Sequence, residues 1–562
     1  MGQNEIDSED AFGRERKTNI GILSTISPDV HEKAQESQLQ LFEGPRSDEQ
    51  QQWHPDLRDW LVFVNILVFA MMDTFDATVM IPIVPEMKAD FNAFKRLANA
   101  LNEPIVTTLW VSTSYLIAST ASQLFFTMAC DVFTHGPLWI VAGILSTIGS
   151  GICAGSTSLT ALIIGRSIQG IGGGGATALC FVIMQDTTPK SIHSRYSCYI
   201  QLTRFIGIVL GPAVGGIFTD KGTWTWACYF NFVFCGLGLL LIPVSVDLRI
   251  SRNIPLRTLR ILDWSGATMA ILGPTSLLIG LAWGGVLYKW TEWQTIMPIA
   301  VGLSTMIALI LYESTWALRP HFGSKVFRST TTTMTYIGCF CHGFVLFAQM
   351  QHYAFFLMLT KDFSTTHAGL SLLALTGFAL TPAAVVGVAF ANKPQYTRYV
   401  TSGGWTLNLL ASSCSILLGR KTPIIGLVFL LLTAGLGHGL LLASYSTKAH
   451  SMAGSGSKSF ARRPVAVSNF MRAWGMAMAI PIGGVIFLNM HERQLEHLGL
   501  GKDLVNTAQG YLVLMNQVKM SHGERTAMHD ASSKSLQVVW MVMTGVSALG
   551  GFSTVFAWGA RL

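Results

Sequence analysis

Apolar runs of about 20 residues recur along this chain, and a run of that length crosses the hydrocarbon core of a bilayer as one helix. Fourteen can be counted, near 60–85, 106–127, 138–157, 159–184, 196–218, 225–245, 264–283, 294–313, 332–358, 367–391, 399–418, 423–445, 465–489 and 536–558. Hydrocarbon offers a backbone no hydrogen-bonding partner, so each crossing segment must satisfy its own N–H and C=O groups, as a helix does. The expected fold class is therefore an all-α membrane protein with fourteen transmembrane helices. Composition agrees: 12% of residues are charged, against about 25% in soluble proteins.

Residues 1–59 are of another kind. They hold thirteen Asp and Glu against six Lys and Arg, with few aromatics. Such a stretch cannot bury enough apolar surface to fold, so it reads as a disordered acidic tail. It has no apolar core with a cleavage site, and Ile6 stands where a myristoylation signal needs Ser or Thr. The tail's net charge of −7 leaves +14 for the rest of a chain whose total is +7.

That positive excess orients the molecule. With the tail in the cytosol, the cytosolic loops and C-terminus carry sixteen Lys and Arg, among them Arg249, Arg252, Arg257 and Arg260, and the short outer loops carry eight. This is the asymmetry of the positive-inside rule. It places both termini in the cytosol and accounts for the basic charge without nucleic acid. The nine cysteines show no metal-ligand or disulfide spacing and read as small packing residues. No Gly-x-x-x-x-Gly-Lys-Ser/Thr loop is present, and the run Gly172–Gly175 continues into Ala176 and Thr177, so no ATP site is expected.

The stretch "GIVLGPAVGG", Gly207 to Gly216, puts four glycines and a proline inside one apolar run. Gly207, Gly211 and Gly215 recur every four residues, which forms a stripe on which helix backbones can approach. Pro212 removes a backbone hydrogen bond and is expected to bend the helix. Charges also stand inside apolar runs, where they are costly and usually functional. Among them are Asp73 and Asp76 in the first, Arg166 in the fourth, Arg204 in the fifth and Arg472 in the thirteenth.

Taken in order, these segments resemble the major facilitator superfamily, in its fourteen-helix drug:proton antiporter branch of the fungal multidrug and mycotoxin efflux type. "DATVMIPIVP" resembles the helix 1 motif, with its acid at Asp76, threonine at Thr78 and proline at Pro85. "RSIQG" resembles that of helix 4, with Arg166 and Gln169. "GIVLGPAVGG" resembles the antiporter motif of helix 5, carried here by Gly207, Gly211, Pro212, Gly215 and Gly216. "WTWACYFNF" resembles the opening of helix 6, with Trp226 and Asn231. Residues 262–285 resemble the first of two extra central helices, and "MRAWGMAMAIPIGGVIFLN" resembles helix 13. The resemblance covers about residues 56–562. The loop between helices 2 and 3 departs from the family pattern: in "TMACDVFTHG" only Asp131 is retained, and His135 is the residue left to take part in a cytosolic gate. Val233 stands where a proline is common.

The resemblance implies two six-helix bundles, at 60–245 and 331–562, separated by two extra helices with flanking loops over 246–330 and with a long external loop at 490–535. A central cavity would open alternately to either side. It implies proton-driven efflux of small organic molecules (drugs, toxins or secondary metabolites), with no cofactor or metal and no enzymatic step. Partners would be a small-molecule substrate, protons and the bilayer. The plasma membrane is the expected location, with vacuolar or vesicle membranes as alternatives. Asp76 is the first candidate for the proton, Asp73 the second, and Arg166 the cation beside them. Gln169, Arg204, Asn231, His342, His438, Arg472 and Asp131 are candidates for lining the cavity or gating it, and His352 is a further histidine of this kind. Two rivals remain: an uptake symporter such as a siderophore carrier, and a membrane sensor or enzyme that transports nothing. An enzyme needs clustered catalytic groups at one membrane face, and none is evident.

Overall fold

The computed structural model of the chain describes residues 55–83, 106–130, 132–189, 192–221, 223–245, 263–285, 288–315, 329–391, 393–452, 458–497 and 521–559. Asp131, Pro85, most of the acidic tail and the arginines between 249 and 260 lie outside them. Among the described residues fourteen long helices follow one another: α1 Leu57–Ile83, α2 Val106–Ala129, α3 His135–Ala154, α4 Leu159–Thr187, α5 His193–Lys221, α6 Thr225–Ser245, α7 Trp264–Trp283, α8 Trp293–Thr315, α9 Thr330–Lys361, α10 Thr365–Ala391, α11 Pro394–Ser415, α12 Ile424–Ser451, α13 Lys458–His497 and α14 His522–Gly559.

Twelve of these are long and apolar enough to cross a membrane by length and composition alone. The other two, α2 and α11, carry many Ser and Thr. Much of that polarity points inward: Ser112, Thr113, Ser119 and Thr120 of α2 and Thr401, Asn408, Ser412 and Ser415 of α11 are all buried. A helix whose polar groups face other helices needs less overall apolarity than one surrounded by lipid. α8 is the opposite case, with Ile296, Val301, Leu303, Ile307, Ile310 and Leu311 all exposed. Large apolar side chains on the outside and polar ones within are what lipid as the outer solvent requires.

Helix starts follow local chemistry. The Ser158 hydroxyl accepts from the Ala161 N–H ahead of α4, Asp263 from Gly266 N–H ahead of α7, and Ser364 from His367 N–H ahead of α10. At the start of α1 the Asp59 carboxylate accepts from the Asp56 N–H. The helix thus begins inside the segment assigned to the tail, because its last two acids serve as helix-start residues. α10 contains a π-helical stretch, Ala374–Leu380, where Thr381 N–H reaches back to Thr376 O.

The first and last six helices share one packing scheme. α1 packs on α5 and α6, α2 on α4, α3 on α4 and α6; correspondingly α9 packs on α13 and α14, α10 on α12, α11 on α12 and α14. α7 and α8 pack mainly on each other, and α7 also touches α2 and α13. The two halves meet chiefly along α2 with α13 and α5 with α10, which are equivalent pairs in the two halves.

The two ends of the loop expected over 490–535 are helical, since α13 continues to His497 and α14 begins at His522, and the stretch between them lies outside the described residues. The polar residues at the start of α14 have partners. Arg525 pairs with Asp362 at 3.2 Å, His529 Nε2 lies 3.1 Å from the same carboxylate, and His529 Nδ1 lies 2.7 Å from the Leu359 carbonyl. Asp362 ends α9 with a left-handed backbone, φ 55°. Hydropathy misses such a helix end because its polar side chains are held by the neighbouring turn.

Candidate functional site

Asp73 and Asp76 lie three positions apart on α1, a rotation of about 300° around a helix axis. They therefore point roughly 60° apart, and they enter different surroundings. Asp73 faces a cavity between the two halves of the molecule. Its Oδ1 accepts from the Tyr115 hydroxyl at 2.9 Å and its Oδ2 from Thr177 at 2.7 Å. Arg204 of α5 lies 3.1 Å from Asp73 Oδ2 and donates to Thr177 Oγ1 at 2.9 Å. The run Gly172–Gly175 makes this possible. Inside α4, each glycine faces a different neighbour, and a Cβ on Gly173 would collide with the Tyr115 hydroxyl. The run serves close helix approach.

Asp76 turns into the interior of the first half. Its Oδ2 accepts from Asn231 Nδ2 at 2.9 Å, and the same amide reaches Ser150 Oγ at 2.8 Å. Gln169 Nε2 donates to that Ser150 hydroxyl at 2.9 Å. Arg166, fully buried, donates to Gln169 Oε1 at 2.6 Å, to the Asp76 carbonyl at 2.8 Å and to the Val111 carbonyl at 3.2 Å, and stacks 4.3 Å over the Tyr115 ring. Arg166 thus grips the α1 backbone, and its fork is filled by carbonyls and an amide. The cation that pairs with an α1 carboxylate is Arg204.

Asp73, Arg204 and Arg472 are the charged side chains that line the cavity, with Gln123, Gln201, Asn469 and Phe347 among the other walls. Asp76, Arg166, Gln169, Asn231, His342 and His438 lie off it. In the second half, His438 Nε2 lies 2.9 Å from Gln349 Oε1, Gln349 donates to Ser412 at 3.0 Å, and Ser412 lies 3.3 Å from Ser547. The His342 ring centroid is 5.3 Å from that of His438. These residues belong to α9, α11, α12 and α14, the counterparts of the α1, α3, α4 and α6 that carry the Asp76 cluster. His352 bonds the Ala348 carbonyl one turn back, at 2.7 Å.

Contacts between the halves flank the cavity on both sides of the membrane. On the side where α1 begins, Arg462 of α13 grips Asp186 at the end of α4, and Ser197 of α5 meets His450 of α12 at 2.5 Å. His135 lies 2.9 Å from the same Asp186 carboxylate. On the opposite side, the end of α5 meets the start of α10. A Cβ on Gly216 would collide with the Thr365 carbonyl and one on Gly369 with the Pro212 carbonyl, and Thr366 N–H donates to Asp220 at 2.8 Å. Gly207, Gly211 and Gly215 face α1 instead, against Met71, Thr78 and Val79. The glycine-rich stretch thus has two faces, one within its own half and one across to the other. α5 runs as one helix through Pro212.

Tyr115, Thr177, Asn469, Asp186 and Arg462 do not stand out as site residues in the sequence. Arg462 counts there only as part of the basic loop charge, and a Tyr or Thr in an apolar run carries no signal of its own. The eight cysteines whose side chains are described are free.

The family model of the Major Facilitator Superfamily matches residues 66–480. Among curated proteins, the chain is 28% identical to "MFS transporter L2" of a Phoma species, over 91% of this chain and 83% of that protein. It is 26% identical to "MFS efflux transporter aclA" of Aspergillus oryzae, over 88% of each. It is 26% identical to "MFS-type efflux pump LUC4" of a Fusarium species, over 75% of this chain and 72% of that one. Among solved structures, a bacterial homologue of the human lysosomal transporter Spinster superposes with a TM-score of 0.55 at 14% identity, covering 91% of this chain and 99% of that one.

Proposed function

The chain belongs to the Major Facilitator Superfamily, an integral membrane protein built to carry small molecules, and from that premise we propose that it is an exporter driven by the proton gradient. Its cargo would be small organic molecules of the secondary-metabolite or toxin type. The observation that carries the reading is the position of the cavity. It lies between two halves of like packing, with contacts between the halves on both membrane sides, as alternating access requires. The efflux function in the names of two relatives supports outward transport. The side where α1 begins is the cytosol in this reading, in keeping with the distribution of Lys and Arg, and the plasma membrane is the proposed site.

The two α1 carboxylates are the proposed proton carriers. Asp76 holds a proton away from the cargo, its carboxylate bonded by the Asn231 amide. Asp73 meets the cavity. While ionised, it ties α1 to α5 through Arg204, and taking up a proton removes that attraction. α5 also carries Gly216 and Asp220 at the seam with α10. A change at Asp73 is therefore transmitted along one helix to the contact that separates the halves. Arg166 fixes the α1 backbone so that the two acids keep their separate directions. The cargo is moved unchanged, without ATP, cofactor or chemistry upon it.

The test compares small-molecule content of cells and medium with and without the protein, in the presence and absence of a protonophore. A compound moved outward only when protein and gradient are both present supports the reading. A compound taken up instead would make this a symporter.

A further inference from the structure

The cavity carries two cationic side chains and one acidic one. Arg204 is matched by Asp73. Arg472 on α13 has no acidic partner among the described residues. It is 8% exposed, and its Nη2 donates to Asn469 Oδ1 at 2.6 Å. Its Nη1 has no hydrogen-bond partner among the described residues. The side chain is held where it is by close backbone packing: Cβ atoms on Gly343 and Gly475 would collide with the Arg472 and Phe340 carbonyls, so α9 and α13 approach nearly to backbone contact there. A buried guanidinium is costly unless an anion or several acceptors meet it, and its planar fork suits a carboxylate held by two parallel bonds. Arg472 is about one turn from Asn469 on the same helix, and apolar walls, Leu346, Phe347 and Met476, stand beside it.

We propose that Arg472 is an anion-binding group of the cavity, so that the cargo is an amphipathic organic acid whose carboxylate it receives. Asn469 is a positioning residue, which keeps one edge of the fork engaged and leaves the other for the ligand. This deepens the exporter reading and rests on it for the identity of the cavity as the cargo site.

The test uses binding, so that it does not depend on transport or its direction. The probes are N-dansylglycine and N-dansylglycinamide, which share an apolar body and differ in the carboxylate. Affinities are measured by dansyl fluorescence on the purified full-length protein in neutral detergent, for wild type, Arg472→Gln and Arg472→Lys. Wild type is expected to bind the acid at least tenfold more tightly than the amide. Arg472→Gln is expected to erase that preference while leaving the amide's affinity within twofold, which also shows that the variant is folded. Arg472→Lys should keep part of the preference, since it retains charge but loses the fork. A wild type that binds both probes alike, or neither, overturns the proposal. So does an Arg472→Gln protein that retains the preference, or one that loses both affinities equally. A preserved charge preference in a protein that exports nothing would leave Arg472 as the anion site and reject the exporter reading alone.

Discussion

Arg204 on α5 and Asp73 on α1 form an ion pair, 3.1 Å between Nη2 and Oδ2, in the wall of the cavity between the two halves of the molecule. The pair joins the helix that carries Asp73 and Asp76 to a helix that meets the opposite half. The proposed coupling between cavity and seam runs through this pair.

Breaking the pair from either side strands a charge in a mostly buried place. Asp73→Asn and Arg204→Gln should each destabilise the protein by about 3–5 kcal/mol. The double variant should recover most of that, because neither charge is left alone. Transport should be lost in all three. Thermal unfolding midpoints of the detergent-solubilised proteins, set beside efflux at matched membrane levels, check this. A double variant that regains efflux with stability would make the pair a structural brace.

Arg166 satisfies three acceptors and an aromatic face at once. Lysine has no planar fork and cannot serve that set. Arg166→Ala should lower stability by about 3–5 kcal/mol, since it leaves buried acceptors unpaired. Arg166→Lys should fall between it and wild type in both stability and efflux. Equal behaviour of Arg166→Lys and wild type would show that charge alone suffices there.

The two faces of the glycine-rich stretch can be separated. Gly369→Val drives a side chain into the Pro212 carbonyl across the seam, whereas Gly207→Val drives one into α1 within the same half. The first should leave a folded protein that leaks protons passively through vesicles. The second should lower the yield of folded protein. An intact proton barrier in Gly369→Val, with export unchanged, would mean that the α5–α10 contact is not a seal.

On the side where α1 begins, Arg462 reaches Asp186 from the other half, while His135 reaches it from the same half. Arg462→Gln should therefore open that side more than His135→Gln does. The readout is modification of Asn469→Cys, a cavity position, by a membrane-impermeant thiol reagent, with labelling of the exposed Cys414 subtracted. Equal labelling in both variants would remove Arg462 from the closure.

The helices were legible because the length of an apolar run is set by the bilayer and leaves a plain mark in the sequence. The start of α14 was not, since Arg525 and His529 are polar and are held by Asp362 and the Leu359 carbonyl. The motif residues also led to the right helices. Their partners did not emerge, because spacing along α1 could show that Asp73 and Asp76 lie on one side but not that 60° of rotation sends one to Arg204 and the other to Asn231. His135 was singled out by what its loop lacks, and it does reach Asp186, but Arg462, which reaches the same carboxylate from the other half, was hidden among the basic loop charges.

The central claim is that protons drive export through the α1 carboxylates. The most direct measurement is the ratio of medium to cellular content across small organic molecules, in cells carrying wild type, Asp76→Asn or no protein, at matched membrane levels and with or without a protonophore. Asn keeps the shape of Asp76 and loses its titrating group. The account predicts that wild type raises the ratio for at least one compound about tenfold, and that either the protonophore or Asp76→Asn returns it to the level of cells without the protein. Export that survives both treatments undiminished would contradict it.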